Sequence, residues 1–336
     1  MLLLAMVACD GDLPSRPGVP GSVVERQLAS RAAVQVQAHV TGDSIGQGSV
    51  PAALGDDEVA ALAALGYMDE GEELLGTPTT GTGTHDAERT ASGWNFYSLG
   101  GQPEARLIDM DGVEVHRWRF AIADAWPGLD HPDIREEKTP WRRAQLLENG
   151  DVIGIWSGFG IVRIDADSRL QWAHWLPVHH DLHVYPDGRI LTLTAHTAAR
   201  PTLSDEPIVE DRLTWLSADG YPERSVSVLD GLMAHPAWNR LWRKRTDRET
   251  NDVLHTNTVF VLERDHTDIH PAFVAGRVLV SMRALSALAL LDPDSGEVVW
   301  VHRGRYRRQH DPQLTPDGRL WVFDNQGAGP NRSRML

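Results

Sequence analysis

The sequence predicts an all-β protein built from repeated β-propeller blades and preceded by a long tether. From about residue 93 onward, short apolar strands alternate with turn dipeptides such as NG and DG, a pattern typical of antiparallel hairpins. A unit of two hairpins recurs about every 40–50 residues. The first hairpin turns at NG or DG, the second turns at acidic residues, and the last strand ends near Trp. The segments that follow this template are 105–118, 143–175, 181–226, 273–302 and 311–325. Four short strands in each repeat indicate propeller blades.

Composition and charge restrict the possible partners. The chain has 336 residues, of which 41% are hydrophobic and 24% charged, so it is long enough to bury one large or two medium-sized cores. The net charge of −15 argues against nucleic acid or an anionic membrane surface as a partner, because both select for clustered Lys and Arg. An anionic substrate would therefore need a local basic patch.

The first nine residues predict export. The run MLLLAMVAC is apolar and ends in small residues before Cys9, which is the only cysteine of the chain. It resembles the end of a bacterial lipoprotein signal, in which that cysteine becomes the lipidated N-terminus. We therefore expect residues 1–9 to be a signal tail and the protein to be periplasmic or in the cell envelope, held to the membrane only by the lipid on Cys9. The alternative is an incidental apolar N-terminus. With one cysteine, neither an internal disulfide nor a cysteine-based metal site is expected.

Residues 10–92 predict a flexible tether that contains one short helix. Gly, Pro, Ser and Val dominate its first half without a sustained period. Within GDDEVAALAALGYMDE, apolar residues recur at helical spacing, so a helix is expected near residues 56–67. The propeller is expected to fill residues 93–336. Because the chain reaches NRSRML where a further strand is expected, this propeller is predicted to be incomplete at its C-terminus or to close with an N-terminal strand.

Three basic side chains occupy the same position in different repeats. His180 and His310 each precede the glycine of the next hairpin by eight residues, and Arg142 does so in an earlier repeat. The innermost strand of each propeller blade starts at one rim of the central channel, so equivalent residues converge there. The remaining internal repeat begins with His255, and its inner strand ends in LVSMR at Arg283. The sequence therefore predicts one axial cluster of imidazole and guanidinium groups.

This cluster has two chemical interpretations. Neutral imidazole is the commonest transition-metal ligand, which favours a metal site. Alternatively, Arg and protonated His surround a sulfate or phosphate while one neutral imidazole acts as the nucleophile. The segment RGRYRRQH places four arginines ahead of His310, a local cationic patch in an acidic chain, and this favours the anion site without a metal. The Asp-x-Asp turns are ascribed to hairpin formation rather than to calcium binding.

Three sequence motifs resemble those of a known family. They are HHDLHVYPDG, LHTNTV followed by GRVLVSMRALSALALLDP and GEVVWVH, and QHDPQLTPDGRLWVFDN. Together, and in this order, they are similar to the bacterial arylsulfotransferases, exported six-bladed propellers that need no nucleotide sulfate donor. The resemblance covers roughly residues 93–336. It implies a six-bladed β-propeller, no cofactor, and an aryl sulfate and a phenol as small-molecule partners.

The resemblance also assigns roles to individual residues. His310, in the QHD motif, would be the nucleophile that takes the sulfuryl group. His255 of LHTN and Arg283 of VSMR would hold the sulfate oxygens. His180 would be a further histidine of the sulfate pocket. His179 is the alternative candidate for this position, because the two histidines are adjacent in the sequence.

Two further residues are candidate substrate contacts. Arg142 is included because its spacing matches that of the histidines, and Asn257 because it belongs to the LHTN motif. Asp311 would orient an imidazole, although a turn-forming role is equally expected. The chain departs from the family pattern in its single cysteine, in the long insertion after His255 and in the absence of a last blade.

The expected function is transfer of a sulfuryl group from an aryl sulfate ester to a phenol. An imidazole nucleophile divides the reaction into two steps through a sulfohistidine, so ping-pong kinetics are expected. His255 or His180 would protonate the departing phenolate and later deprotonate the acceptor. Two alternatives remain open: a non-catalytic propeller that binds anionic ligands at the cell surface, and a metal-dependent hydrolase or lyase that uses the same histidines.

Overall fold

The computed structural model covers most of the repeat region. It describes residues 85–129, 134, 139–245, 251–329 and 332–336. The predicted signal tail with Cys9 and the helix expected near residues 56–67 lie outside the described residues. No helix in the described part of the chain is long and apolar enough to span a membrane. The described residues form two compact units. The first consists of the described residues within 85–156 and 161–175, and the second of those within 157–160 and 176–336.

The first unit contains two antiparallel sheets. Its three-stranded sheet consists of β1 (Trp94–Ser98), β2 (Glu104–Asp109) and β3 (Glu114–Arg119). A short helix, α1 (Ile122–Ala125), precedes the second sheet. This four-stranded sheet consists of β4 (Arg143–Leu146), β5 (Val152–Trp156), β6 (Gly160–Ile164) and β7 (Leu170–His174). Consecutive strands are neighbours in both sheets, as expected for propeller blades.

The second unit contains three antiparallel sheets and carries most of the predicted site. Its first sheet consists of β8 (Val178–Val184), β9 (Ile190–Ala198), β10 (Ile208–Leu216) and β11 (Pro222–Ser227). Two helices follow, α2 (Val228–Ala234) and α3 (Trp238–Arg243). The next sheet consists of β12 (Thr256–Val261), β13 (Val278–Met282), β14 (Ala287–Leu291) and β15 (Val298–Arg303). The last sheet consists of β16 (Gln309–Leu314), β17 (Leu320–Asp324) and β18 (Arg334–Met335).

The NG and DG dipeptides form hairpin turns that need glycine. Gly150, Gly188 and Gly318 have φ angles of 86°, 87° and 81°, in the left-handed region that disfavours side chains. Their backbone N–H groups donate to the carbonyls of Leu147, Tyr185 and Thr315, each at 2.9 Å. The inner strand and its neighbour are thereby joined at the same point in three sheets.

The core of the second unit forms where sheets and helices cover one another. Every residue of β13 and β14 is buried, so both strands lack the alternation of a half-exposed strand, and Ser281 is their one polar residue. The cluster that they share with α2 and α3 includes Leu213, Leu229, Leu232, Trp238 and Met282. The cluster also includes Val259 and Val261 of β12, so this packing holds one of the strands next to the predicted site.

The all-β propeller fold predicted from the repeats is confirmed, but the number of blades is not. The described residues form five sheets rather than six. The count of six came from the family resemblance, whereas the strand-forming segments of the described chain suffice for five sheets. A strand does occur in the segment NRSRML, where β18 completes a three-stranded sheet by pairing with β17.

Candidate active site

The inner strands of the second unit share an irregularity at the predicted site. The pairing of β8 with β9 shifts register between His179 and Leu182. The pairing of β12 with β13 shifts between Thr256 and Val259, and that of β16 with β17 shifts after His310. A β-bulge bends its strand and redirects the side chains next to it. Each inner strand therefore turns the residues of its motif away from the regular sheet pattern.

Left-handed backbone conformations accompany these irregularities. His180 and His255 have φ angles of 55° and 51°, and Arg308 and Asp311, on either side of the third histidine, have 55° and 49°. A non-glycine residue in this region is destabilised by about 1–2 kcal/mol. Such conformations persist only where surrounding contacts hold them, and they are frequent at functional sites.

Three histidines from the three sheets meet at this place. The ring centroid of His180 lies 5.2 Å from that of His255 and 6.2 Å from that of His310. Their relative exposures are 8%, 6% and 8%, so each residue is buried but keeps a small accessible surface. The structure thus brings together the three histidines that the motifs singled out.

His255 lies between a carboxylate, Asp252, and a guanidinium, Arg283. Oδ1 of Asp252 accepts the backbone N–H of His255 at 2.8 Å, and its Oδ2 contacts Nδ1 of the ring. Nη1 of Arg283 lies 2.9 Å from Nε2. Because a guanidinium only donates, Nε2 must accept, and the ring hydrogen lies on Nδ1, facing the carboxylate. His255 therefore places the Arg283 guanidinium at the site.

His310 is oriented through its Nδ1 atom. This nitrogen lies 3.0 Å from the carbonyl oxygen of Arg308 and 3.2 Å from the side-chain nitrogen of Asn325. The carbonyl only accepts and requires hydrogen on Nδ1, whereas the amide nitrogen only donates and requires the opposite tautomer. The closer contact, to the carbonyl, favours hydrogen on Nδ1. The neutral ring then has its lone pair on Nε2, which is the atom that a nucleophilic imidazole needs.

Asn257 links two of the inner strands. Its side-chain N–H donates to the carbonyl of Gln309 at 2.9 Å, and its side-chain oxygen accepts from the Thr258 hydroxyl at 3.1 Å. The same hydroxyl accepts the backbone N–H of Asp311 at 2.9 Å. The predicted substrate contact therefore joins β12 to the strand segment that carries His310.

The two histidines of the doublet have different surroundings. His180 is the member that lies beside the other two site histidines, whereas His179 is fully buried. Nδ1 of His179 lies 2.9 Å from Nδ1 of His180, and its Nε2 lies 3.5 Å from Oδ1 of Asp211. His179 thus packs behind His180, against a carboxylate that is itself fully buried.

The predicted basic groups lie on different elements of the structure. Arg142 lies in the first unit, immediately before β4, where its backbone N–H donates to the carbonyl of Ile155 at 2.8 Å and its side chain is exposed. In the arginine-rich segment, Arg303 donates to the carbonyl of Lys244 at 3.0 Å. Of the basic residues named by the motifs, the structure places Arg283 in direct contact with a site histidine.

Sequence reasoning missed the buried aspartates that organise the site. Oδ2 of Asp181 accepts the backbone N–H of Val259 at 3.0 Å, and Oδ1 accepts that of Leu182 at 3.0 Å. With Asp211 and Asp252, it belongs to a set of almost fully buried carboxylates. Two of them left a sequence signal: Asp181 directly follows the histidine doublet in its motif, and Asp252 lies three residues before a motif histidine. In the part of the chain that the structure describes, no three His, Cys, Asp or Glu side chains are arranged to hold a metal ion.

Comparison with known proteins gives one family match and several distant structural likenesses. The family model described as arylsulfotransferase (ASST) matches residues 143–336. No curated protein matches the chain. A protein of unknown function from Bacteroides caccae is 13% identical, with 71% of each chain covered and a TM-score of 0.42. BamB from Moraxella catarrhalis is 8% identical, covering 74% of this chain and 56% of that one, with a TM-score of 0.39. A streptogramin B lyase is 11% identical, covering 78% and 70%, with a TM-score of 0.40.

Proposed function

Since the chain belongs to the arylsulfotransferase (ASST) family, we propose that it moves a sulfuryl group from an aryl sulfate ester to a phenolic acceptor. The nucleophile of this reaction is His310, which forms a sulfohistidine. The observation that supports the proposal is the orientation of this ring: Nδ1 faces the Arg308 carbonyl at 3.0 Å, which favours the tautomer with the lone pair on Nε2. A second candidate function has no observation in its favour.

The charge distribution supports an anionic substrate. As the bond to the aryl oxygen breaks, negative charge develops on that oxygen and on the outer sulfate oxygens, a demand similar to that of phosphoryl transfer. Arg283 supplies a permanent positive charge, and His255 orients it through the 2.9 Å contact. Fixed donors of this kind stabilise a transition state without reorganising during the reaction.

The reaction proceeds in two half-reactions. In the first, the lone pair on Nε2 of His310 forms an N–S bond, and the S–O bond to the aryl group breaks with its electron pair on the phenolate oxygen. In the second, an acceptor phenol gives its proton to a base of the site as its oxygen forms a new S–O bond, and the electron pair of the N–S bond returns to Nε2. Donor and acceptor phenols thus use the site in turn, which predicts ping-pong kinetics.

The proposal is tested with an aryl sulfate donor and a phenol acceptor in the presence of a chelator. Wild-type protein should turn over only when the acceptor is present, and His310→Asn should be inactive. Brief incubation of the wild type with donor alone should leave one sulfuryl group on the peptide that contains His310, detected by mass spectrometry. His302→Asn is the matched control, because this histidine lies on β15, stacked on Trp300. Wild-type protein that binds the ester without turnover would identify an anion-binding propeller instead, and loss of activity with the chelator would indicate a metal enzyme.

Export is a separate part of the proposal. The lipoprotein-type run that ends at Cys9 supports an envelope protein held by a lipid. Cells that express the full chain should incorporate labelled palmitate into the wild type and none into Cys9→Ser. Equal labelling of both would contradict it.

A further inference from the structure

The histidine doublet of β8 connects the site to a buried carboxylate. His180 lies beside His255 and His310, whereas His179 is fully buried behind it. Nδ1 of His179 lies 2.9 Å from Nδ1 of His180, and Nε2 of His179 lies 3.5 Å from Oδ1 of Asp211. The three groups lie in a row from the site to a side chain that has no exposed surface. The contact of His179 with Asp211 is at ion-pair distance and is not a hydrogen bond.

His255 is unsuited to exchange a proton with a phenol. Asp252 faces its Nδ1 hydrogen, and Arg283 lies 2.9 Å from its Nε2. A hydrogen on Nε2 would oppose the N–H of the guanidinium, because that group has only donors. The ring therefore stays neutral and serves to place Arg283.

We propose that His180 exchanges the phenol proton and that His179 and Asp211 are positioning residues that keep this proton available. The inference rests on the sulfotransferase function proposed above. A contact of 2.9 Å between two imidazole nitrogens requires one donor and one acceptor, so a single hydrogen lies between the two Nδ1 atoms. With a hydrogen also on each Nε2, the histidine pair carries one positive charge, which the Asp211 carboxylate balances.

Protons and electrons balance over the two half-reactions. When His310 takes the sulfuryl group and the S–O bond breaks, the Nε2 hydrogen of His180 moves to the phenolate oxygen. The histidine pair is then neutral and keeps its shared Nδ1 hydrogen. The acceptor phenol later returns a proton to Nε2 of His180, while its oxygen attacks the sulfur and the electron pair of the N–S bond returns to His310.

The position of Asp211 is fixed from the neighbouring sheet. Its Oδ2 accepts the backbone N–H of Thr256 at 2.6 Å, and its Oδ1 is the atom that faces His179. Thr256 directly follows His255, so the carboxylate connects two of the three strand segments that carry pocket histidines, β8 through His179 and β12 through Thr256. A buried carboxylate is stabilised by an adjacent positive charge, which is the physical reason for the histidine pair to hold one.

The test uses two donors whose leaving groups differ in basicity. 4-Nitrophenolate departs without protonation, whereas unsubstituted phenolate is a stronger base and needs a proton in the transition state. Asp211→Asn keeps an oxygen for the Thr256 N–H and removes the charge, and His179→Gln removes the imidazole. Each variant should lose about 100-fold in kcat/KM with phenyl sulfate but less than about three-fold with 4-nitrophenyl sulfate.

The controls separate this role from a structural one. His183→Gln, on β8 but packed on Tyr185, should match the wild type with both esters. Equal losses with both esters in Asp211→Asn and His179→Gln would overturn the inference, because a structural defect does not distinguish leaving groups. If circular dichroism shows that one variant does not fold, the comparison of kcat/KM between the two esters is made with the other variant.

A measurement on the wild type makes the test independent of variant folding. Its kcat/KM should show a solvent deuterium isotope effect with phenyl sulfate and none with 4-nitrophenyl sulfate; the same effect with both would overturn proton transfer by His180. A wild-type protein that turns over neither ester contradicts the proposed function itself. If the wild type turns over both esters and His310→Asn is inactive, but Asp211→Asn and His179→Gln lose the same factor in kcat/KM with both esters, only the inference is contradicted.

Discussion

Both carboxylate oxygens of Asp252 serve the same residue, His255. Oδ1 accepts the backbone N–H at 2.8 Å, and Oδ2 contacts Nδ1 of the ring. The first contact supports a backbone with a φ of 51°, and the second sets which ring nitrogen carries hydrogen. Through this pair, a residue outside the predicted motifs controls how Arg283 is held.

Asp252→Asn should therefore reduce catalysis more than stability. An amide that faces Nδ1 allows the ring to place its hydrogen on Nε2, where it opposes Arg283. We expect kcat/KM for 4-nitrophenyl sulfate to fall by about 100-fold, as for the loss of a fixed donor to a developing charge. The free energy of unfolding, measured with urea, should change by about 1 kcal/mol or less, because an oxygen remains for the backbone N–H. Unchanged activity would contradict this role for Asp252.

Asp181 should matter for stability because it joins two sheets. Asp181→Ala leaves the buried N–H groups of Val259 and Leu182 without the acceptors they have at 3.0 Å. Each such loss is destabilising by about 1–3 kcal/mol, so we expect the free energy of unfolding to fall by about 2–4 kcal/mol. Asp181→Asn, which keeps one acceptor oxygen, should lose about half as much. Equal values for the two variants would show that the carboxylate oxygens are not responsible.

Two turn glycines allow backbone strain and crowding to be separated. Gly188 and Gly276 have φ angles of 87° and 83°. A Cβ at Gly188 would lie 3.1 Å from the Cβ of Ala218, whereas a Cβ at Gly276 would meet nothing within 4 Å. Gly276→Ala should destabilise by about 1–2 kcal/mol from the backbone alone. Gly188→Ala should lose about 1 kcal/mol more, from the contact. Thermal and urea unfolding of both variants give the comparison, and a larger loss at Gly276 would contradict it.

His183 should make the fold less stable in mild acid. Burial lowers the pKa of this histidine below its ordinary value of 6.5, an effect that Glu263 partly opposes. The unfolded chain therefore takes up the proton first as the pH falls, and the free energy of unfolding decreases below about pH 6.5 until the folded form is protonated too. His183→Gln should show a smaller decrease between about pH 7.5 and pH 5 than the wild type. An equal decrease in both proteins would mean that other groups determine the acid sensitivity.

The local and repeating features of the chain were accessible from the sequence. Hairpin glycines such as Gly188 and Gly318 are visible because only glycine adopts their backbone conformation without strain. The motif histidines His180, His255 and His310 could be placed together because repeats put equivalent residues in equivalent positions. The same spacing singled out Arg142, which precedes β4 in the other unit, and its place at the site stays a prediction.

What the sequence by itself determined is the all-β propeller class and the identity of the three histidines, because turn chemistry and strand periodicity are local properties repeated along the chain. Only the tertiary structure decided which member of the doublet, His180 rather than His179, lies beside the other two rings. It also shows which carboxylates face the ring nitrogens, Asp211 at His179 and Asp252 at His255. These choices depend on contacts between residues that lie far apart in the chain or on bulges that redirect side chains, and neither leaves a periodic signal in the sequence.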